Sequence, residues 1–332
     1  MILGLILLSY AAALATIGPR LLAHGSWTHR APRLGIIAWQ SISTAVVVGA
    51  ALAGLALVLS EIPMTADLDH LLMACTRALR GESSPVGLLA AGTGAVLFVV
   101  VVSRAGYRVL RAILGAARHR ARHRAALGIA ASAASDRVSE IAVVLDCAEP
   151  ALYCLPGHRE RIVITSGALA LLDDDQLAAA LAHERAHLRQ RHDLVIAYAL
   201  GLARAFPRLR LFRDALTHTT RLVELLADDV AARATDRLTL ADALLTLSSA
   251  QAPPVGLAAT GASAARVRRL ITPPAPLGRA RSLATGLIAA ALFAAPLSSV
   301  AGPANPLGLG RDCPTQTASR SVGSTAPFGM TR

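Results

Sequence analysis

The sequence predicts a mostly α-helical membrane protein, in which four transmembrane helices carry a mixed α+β domain between the third and the fourth. Hydrophobic residues make up 54% of the 332 residues, and the mean hydropathy is +0.51. The chain contains four apolar runs close to the roughly 20 residues that an α-helix needs to cross a bilayer. Between the third and fourth runs, strand-like segments precede a helical stretch with the spacing His-Glu-x-x-His.

The first 103 residues form the predicted N-terminal membrane domain. Its spans are expected at 1–17, 34–59 and 86–102. The first run has no basic residues before it and no clear cleavage site after it, so we interpret it as a span and not as a signal peptide. Residues 104–280 form the domain between the membrane segments, with 251–276 as a loose linker rich in Pro, Gly and Ala. The fourth span is expected at 281–301, and the Pro-, Gly-, Ser- and Thr-rich tail 302–332 is predicted to be disordered.

Charges beside the spans predict the topology. Arginine near span ends marks the cytoplasmic side of a membrane. The segment after the third span is strongly basic, with Arg104, Arg108, Arg111, Arg118, Arg120, Arg122 and Arg124. The loop between the second and third spans is acidic, with Glu61, Asp67, Asp69 and Glu82. We therefore expect a multi-pass protein of a bacterial plasma membrane, with the N-terminus and the C-terminal tail outside and residues 104–280 in the cytoplasm.

The strongly positive net charge of the chain raises the question of whether it binds nucleic acid. The chain carries 33 basic and 21 acidic residues, a net charge of +12, and every basic residue is arginine. Aromatic residues make up only 3% of the chain, and no nucleic-acid-binding motif is present. We expect no direct contact with nucleic acid, because a basic surface facing the lipid bilayer explains the charge better.

The central motif is His183-Glu184-Arg185-Ala186-His187. Residues four apart share one face of an α-helix, so His183 and His187 can point at one metal ion. Glu184 is then placed to take a proton from a metal-bound water. The other interpretation is a solvated helix face, because arginines alternate with the histidines. The apolar residues 177–182 and the acidic residues 173–175 just before the motif favour a buried helix with a stabilised start.

A second helical stretch contains Glu224 and Asp228, again four residues apart. Two histidines and one carboxylate leave a fourth zinc position open, which is the layout of a catalytic site. Asp228 can accept the spare N–H of a ligand histidine and so fix its tautomer. His192 lies five residues after His187, off the ligand face, and is expected at the surface or beside a ligand. His192 and Tyr198 are candidates for the oxyanion-stabilising residue by residue type only.

Residues 138–233 resemble the catalytic domain of integral-membrane gluzincin metallopeptidases. The matching residues are 151–157, 161–169, the His-Glu-x-x-His turn, 191–193 and 224–228. They are most similar to the BlaR/MecR-type peptidases and more distantly to the HtpX and CAAX-protease group. The resemblance implies Zn²⁺ bound by His183, His187 and Glu224, with Glu184 as the general base. Only a short apolar run, 194–206, separates the two motifs, and this favours the BlaR/MecR type because the HtpX group would be expected to insert spans there.

The chain departs from the beta-lactam sensors of that group. It contains no lysine, so it has no Ser-x-x-Lys nucleophile. The leading hypothesis is therefore a regulatory membrane zinc endopeptidase that cuts a cytoplasmic protein, such as a BlaI-type transcriptional repressor. The alternatives are an HtpX-like quality-control protease and a non-catalytic receptor or scaffold that keeps the zinc fold. Homo-oligomerisation is left open.

The remaining predictions concern the sheet and the cysteines. Residues 139–147 and 161–165 are predicted to be strands. Residues 162–165 are either a sheet edge that pairs with an extended substrate or an ordinary core strand. Cys147 and Cys154 are expected to be buried thiols, whereas Cys75 and Cys313 would both lie outside the cell and could form a disulfide.

Overall fold

The computed structural model describes residues 1–23, 25, 27–60, 84–132, 142–157, 160–251 and 257–301. The tail 302–332 and the proposed Cys75–Cys313 pair lie outside these residues. The membrane-spanning candidates are α1 (Ile2–Ala23), α3 (Pro32–Leu59), α4 (Pro85–Ala130) and α11 (Arg279–Ala301), and a short helix α2 (Trp27–Arg30) joins α1 to α3. In the described part of the chain, four helices are long and apolar enough to cross a membrane, which confirms the prediction of four candidate spans.

Helix α4 is much longer than the span predicted from the sequence. It runs for 46 residues, about 69 Å at 1.5 Å per residue, so the predicted boundary at residue 103 lies inside it. Its basic half packs against the rest of the chain. Arg120 forms an ion pair with Asp193 at 3.2 Å, and the His123 imidazole lies 2.7 Å from the Tyr153 hydroxyl. One continuous helix therefore connects the third membrane span to the domain that follows it.

A small sheet follows α4 in the chain. Its strands are β1 (Ala131–Ser132), β2 (Ala142–Leu145), β3 (Leu152–Leu155) and β4 (Arg161–Thr165), in the order β1-β2-β4-β3. β2 and β4 are parallel, whereas β1 pairs with β2 and β3 pairs with β4 in antiparallel register. Residues 162–164 are fully buried and β4 has a neighbour on each side. The interpretation of 162–165 as a sheet edge is therefore wrong; β4 is a core strand, and β3 is the outer strand on that side of the described sheet.

Six helices complete the described domain. They are α5 (Ser166–Leu171), α6 (Asp174–Arg189), α7 (His192–Ala205), α8 (Arg210–Ala234), α9 (Arg237–Gln251) and α10 (Leu257–Ile271). The predicted linker 251–276 is in large part helix α10, so that prediction is wrong. The physical reason is burial: Val267 and Leu270 lie three residues apart on one helix face and pack with Ala179 of α6 and Leu240 of α9. This contact stabilises a helix that its Pro- and Gly-rich surroundings do not suggest.

The domain packs directly on the membrane helices. Trp39 of α3 is completely buried and stacks on the His218 ring of α8, with 4.8 Å between the ring centroids. The hydroxyls of Thr44 on α3 and Tyr198 on α7 lie 2.7 Å apart. Trp39 belongs to the same hydrophobic cluster as Phe212 of α8. Helix α3 is therefore both a candidate membrane span and part of the support for the soluble-type helices α7 and α8.

We predict that Gly94→Ala destabilises the protein because α3 and α4 approach each other through backbone contacts at this point. A Cβ atom on Gly94 would lie 2.5 Å from the Gly54 carbonyl oxygen and 2.7 Å from the Leu57 Cβ. Overpacking of this kind costs about 1–3 kcal/mol. Thermal unfolding in detergent should show a lower Tm for Gly94→Ala. Gly92→Ala is the matched control, because a Cβ there meets nothing within 4 Å; equal Tm values for the two variants would contradict the prediction.

Candidate metal centre

Helix α6 carries the two histidines, and its start is fixed by the local sequence. The Asp173 side chain accepts a hydrogen bond from the Gln176 backbone N–H at 2.8 Å, while the Gln176 side chain accepts one from the Asp173 backbone N–H. This reciprocal capping box satisfies two of the free N–H groups at the helix start. Gln176 also donates to Asp242 of α9 at 2.6 Å. The expectation that the acidic cluster begins the motif helix is therefore confirmed.

The three predicted metal ligands converge on one point. The Nε2 atoms of His183 and His187 lie 3.1 Å apart. The Glu224 carboxylate on α8 places one oxygen 3.5 Å from His183 Nε2 and the other 3.6 Å from His187 Nε2. Among the described residues, these three side chains form the only cluster of three or more His, Cys, Asp or Glu residues that could hold a metal ion.

The spacing of these ligand atoms fits zinc. Zinc bonds to histidine nitrogen and carboxylate oxygen are about 2.0–2.2 Å long, so neighbouring ligands in a tetrahedral site lie about 3.3–3.6 Å apart. The separations between the histidines and Glu224 agree with that range, and the distance between the two histidines is slightly shorter. The histidine-histidine-glutamate donor set is also one that catalytic zinc uses. The residues present therefore fit this metal.

Asp228 holds His183 from the side opposite the ligand position. Its Oδ1 lies 3.0 Å from His183 Nδ1, and the Asp228 side chain is only 1% exposed. Burial raises the pKa of this carboxyl group, but Arg266 and His183 outweigh burial and lower it to about 2. Asp228 is therefore charged at neutral pH and forms an ion-pair contact with Nδ1 of His183, so that Nε2 is the ring nitrogen that faces Glu224 and the candidate metal position. This position agrees with the prediction that Asp228 accepts the spare N–H of a ligand histidine.

The two ligand histidines differ in their surroundings. Burial lowers the pKa of His183, yet its contacts with Asp228 and Glu224 raise it to about 9. Burial lowers the pKa of His187 to about 4, with only partial compensation by Glu224. The difference arises because His183 has a carboxylate on its outer nitrogen, whereas the outer nitrogen of His187 meets His192. His187 Nδ1 lies 3.0 Å from His192 Nδ1, and His192 is buried beside it.

Glu184 lies in the cavity in front of the ligands. A cavity of about 220 Å³ is lined by His183, Glu184 and Glu224, with Leu152 of β3 on its wall. Burial raises the pKa of Glu184, as does the charge of Glu224. The Cys154 thiol contacts Glu184, and burial raises the thiol pKa so that it keeps its proton. A buried carboxylate with a raised pKa suits proton transfer near neutral pH.

Arg266 is a site residue that the sequence analysis missed. It donates two hydrogen bonds to the Asp228 carboxylate, at 2.8 and 2.6 Å, and forms a 3.1 Å ion pair with Glu224. It lies on α10, in the segment that was predicted to be a linker. The available signal was the spacing of Val267, Leu270 and Ile271, which repeats with a helical period.

Other histidines and aromatic candidates lie elsewhere. Tyr198 contacts Thr44 of α3, so the structure does not bring its hydroxyl to the metal centre. His218 stacks on Trp39 and His123 contacts Tyr153.

His192, in contrast, lies at the site. It contacts His187, which is the second of the two positions expected for it. Cys147 and Cys154 are free thiols as predicted, but both are only partly buried.

Two histidines one turn apart, a glutamate from a second helix and an adjacent carboxylate in the same cavity define a metallopeptidase-type centre. The sequence profile of peptidase family M48 matches residues 116–285, slightly more than half of the chain. The chain belongs to this family. M48 peptidases are generally zinc-dependent, so the protein is a membrane-associated metalloprotease-type hydrolase. Searches of curated proteins and of solved structures each gave no significant match.

We predict that Asp228→Asn weakens zinc binding. Loss of the carboxylate behind a ligand histidine typically costs about 10–100-fold in metal affinity. Zinc affinity of the detergent-purified full chain can be measured by competition with a chelating dye. Asp229→Asn is the control, because Asp229 is the adjacent carboxylate and pairs with Arg269 at 2.7 Å instead of with a ligand. Equal losses of affinity in the two variants would contradict the assignment of Asp228.

Proposed function

We propose that this protein is a membrane zinc endopeptidase that hydrolyses a peptide bond of a protein substrate at the cytoplasmic side of a bacterial plasma membrane. The observation that supports it best is the convergence of His183, His187 and Glu224 in the cavity that Glu184 also lines. A structural zinc site is closed by four protein ligands, whereas a catalytic site keeps one position open. Three ligands and a neighbouring carboxylate match the second arrangement.

The residues of the chain then have distinct tasks. A zinc ion held by His183, His187 and Glu224 would lower the pKa of a water molecule towards about 7 and would polarise the substrate carbonyl. Glu184 removes a proton from the attacking water through its carboxylate and later gives that proton to the nitrogen of the leaving amine. One water is consumed, one C–N bond breaks, and a carboxylate and an amine result. Asp228 keeps the Nδ1 proton on His183, and His192 restrains the ring of His187.

Strand β3 is the part of the site best suited to hold a substrate backbone. It is the outer strand next to β4, and Leu152 lines the catalytic cavity. An extended peptide can add to an exposed strand edge through main-chain hydrogen bonds. This mode binds a backbone without selecting particular side chains, so selectivity must come from other walls of the site.

The regulatory part of the proposal rests on the resemblance to BlaR/MecR-type peptidases. In the described structure, the short helix α7 and the start of α8 lie between the His-Glu-x-x-His motif and Glu224. This segment packs against α3 and α4. A compact segment of this kind supports the regulatory type over an HtpX-like quality-control protease. A transcriptional repressor is the substrate that the resemblance suggests. A non-catalytic receptor that retains the zinc fold is the competing class.

We predict that Glu184→Ala loses cleavage while it keeps zinc. General acid–base catalysis contributes about 10²–10⁴-fold to rates, and Glu184 is not among the metal ligands, so the metal remains bound. Wild type and variant are purified in detergent, assayed for zinc content and incubated with a co-expressed BlaI-type repressor and with an unfolded model protein. Glu149→Gln, an exposed acidic position away from the cavity, is the control and should cleave normally.

Three outcomes distinguish the alternatives. Cleavage of the repressor alone by wild type supports the regulatory function, and cleavage of the unfolded protein alone supports quality control. Zinc in both proteins with cleavage in neither supports the non-catalytic receptor. Loss of zinc from Glu184→Ala would contradict its assignment as the proton carrier.

The cytoplasmic position of the site can be tested by cysteine labelling. In a cysteine-free background, Ser60→Cys at the end of α3 is expected outside and Arg118→Cys on the basic half of α4 inside; both positions are exposed. A membrane-impermeant maleimide applied to right-side-out vesicles should label Ser60→Cys directly and Arg118→Cys only after permeabilisation. The reverse pattern would place the catalytic domain on the other side of the membrane.

A further inference from the structure

A second and larger cavity opens beside the metal centre. It has a volume of about 900 Å³ and lies between α8, α10 and the short helix α2. It shares Glu224, Ser263 and Arg266 with the catalytic cavity, so the two are adjacent and have a common wall. We call this larger space the basic cleft, because four arginines line it: Arg221, Arg266, Arg268 and Arg269.

Two of these arginines are neutralised within the protein. Arg266 pairs with Asp228 and Glu224, and Arg269 forms two hydrogen bonds to the Asp229 carboxylate, at 2.7 and 2.9 Å. Arg221 and Arg268 are exposed, and neither forms an ion pair or side-chain hydrogen bond with any described residue. The cleft therefore carries two positive charges that are available to a ligand.

The neighbouring histidine is consistent with a positive potential. His29 lies on the α2 wall of the cleft, and burial lowers its pKa. The charges of Arg221 and Arg269 lower the pKa of His29 further. Among the described residues that line the cleft, Glu224 is the only acidic one, and its carboxylate already forms a 3.1 Å ion pair with Arg266.

The volume of the cleft suits a peptide segment, and its lining combines arginine and hydroxyl side chains with apolar surface. Its volume lies at the upper end of the range of about 300–1,000 Å³ for small-ligand pockets, so it can hold several side chains. Thr217, Thr220 and Ser263 contribute hydroxyl groups to the walls. On the side of the membrane helices, the α2 wall is tied to α10 and the segment after it. Arg269 donates to the His29 carbonyl at 3.1 Å, and Arg30 donates to the Ala275 carbonyl at 2.7 Å. The cleft therefore shares one wall with the catalytic cavity. Its wall nearest the membrane helices is held in place by these hydrogen bonds between α2 and the α10 region.

We propose that the basic cleft binds acidic side chains of the peptide substrate on one side of the scissile bond, through Arg221 and Arg268. This inference rests on the proposed peptidase function and names the substrate class. The backbone of the substrate is held beside β3 and the metal ligands, and Asp or Glu residues a few positions away reach the cleft. An anionic lipid headgroup has the same charge, but it gains nothing from a wall shared with the catalytic residues.

Peptide binding tests the proposal without requiring turnover. The full-length, zinc-loaded Glu184→Gln protein in zwitterionic nanodiscs is titrated into three fluorescent peptides. Each has the same uncharged core, flanked by three Glu, three Gln or three Arg residues. Anisotropy should show the Glu peptide binding most tightly, with affinity that falls as salt rises. Arg221→Gln and Arg268→Gln should each weaken it about two- to fivefold, as expected for exposed ion pairs, and the double variant about tenfold or more.

Arg213→Gln is the matched control, because Arg213 is an exposed arginine on the same helix as Arg221 and does not line the cleft. It should bind the Glu peptide as well as the parent protein does. Equal binding of the Glu and Gln peptides, or unchanged binding by the double variant, would overturn the proposal. If nanodiscs containing phosphatidylglycerol abolish peptide binding through the same two arginines, the cleft is a lipid site instead. If the protein with Glu184 binds the Glu peptide selectively but does not cleave it, the peptidase function fails and the acidic-peptide site stands.

Discussion

The structure of the site depends on the buried charge of Asp228. A carboxylate that is 1% exposed is tolerated in a protein interior only when it is paired and hydrogen-bonded. Asp228 has two partners, the His183 imidazole of α6 and the Arg266 guanidinium of α10, while it lies on α8 itself. One side chain therefore fixes the relative positions of three helices. The same contact is made at Nδ1 of His183, so the residue that orders the helices also holds the ring whose Nε2 faces the candidate metal position.

This constraint explains which parts of the site could be predicted from sequence. His183, His187, Glu224 and Asp228 occur in pairs four residues apart, and the helical period places the members of each pair on one face. Local spacing therefore predicted each pair, and the resemblance to gluzincin peptidases connected Glu224 with the two histidines as one candidate metal site. Arg266 was not, because its partners lie 38 or more residues earlier in the chain and its own segment is bounded by proline and glycine. What defines α10 as a helix is the burial of Val267 and Leu270, which is a tertiary effect.

The same distinction applies to the rest of the fold. Four apolar helices could be predicted because hydropathy is a property of short windows, and α4 shows the limit of that approach. Its hydropathy falls after residue 102, yet the helix continues because its basic half has partners such as Asp193 and Tyr153. The role of β4 was likewise decided by its neighbours. A run such as Ile162-Val163-Ile164 is compatible with an edge or a core strand, and only the position of β3 settles which one it is.

If the protein binds a peptide substrate as proposed, the two cavities would recognise it through different physical effects. Beside β3 the available interactions are backbone hydrogen bonds and contact with Leu152, which any extended chain can make. The basic cleft instead offers charge, and charge discriminates between peptides of equal shape. Arg266 lies on the wall that the two cavities share, and its guanidinium group forms ion pairs with Asp228 and Glu224. The arginine charge that no described carboxylate pairs with lies at Arg221 and Arg268, so the proposed recognition of acidic side chains would not compete for the candidate metal ligands.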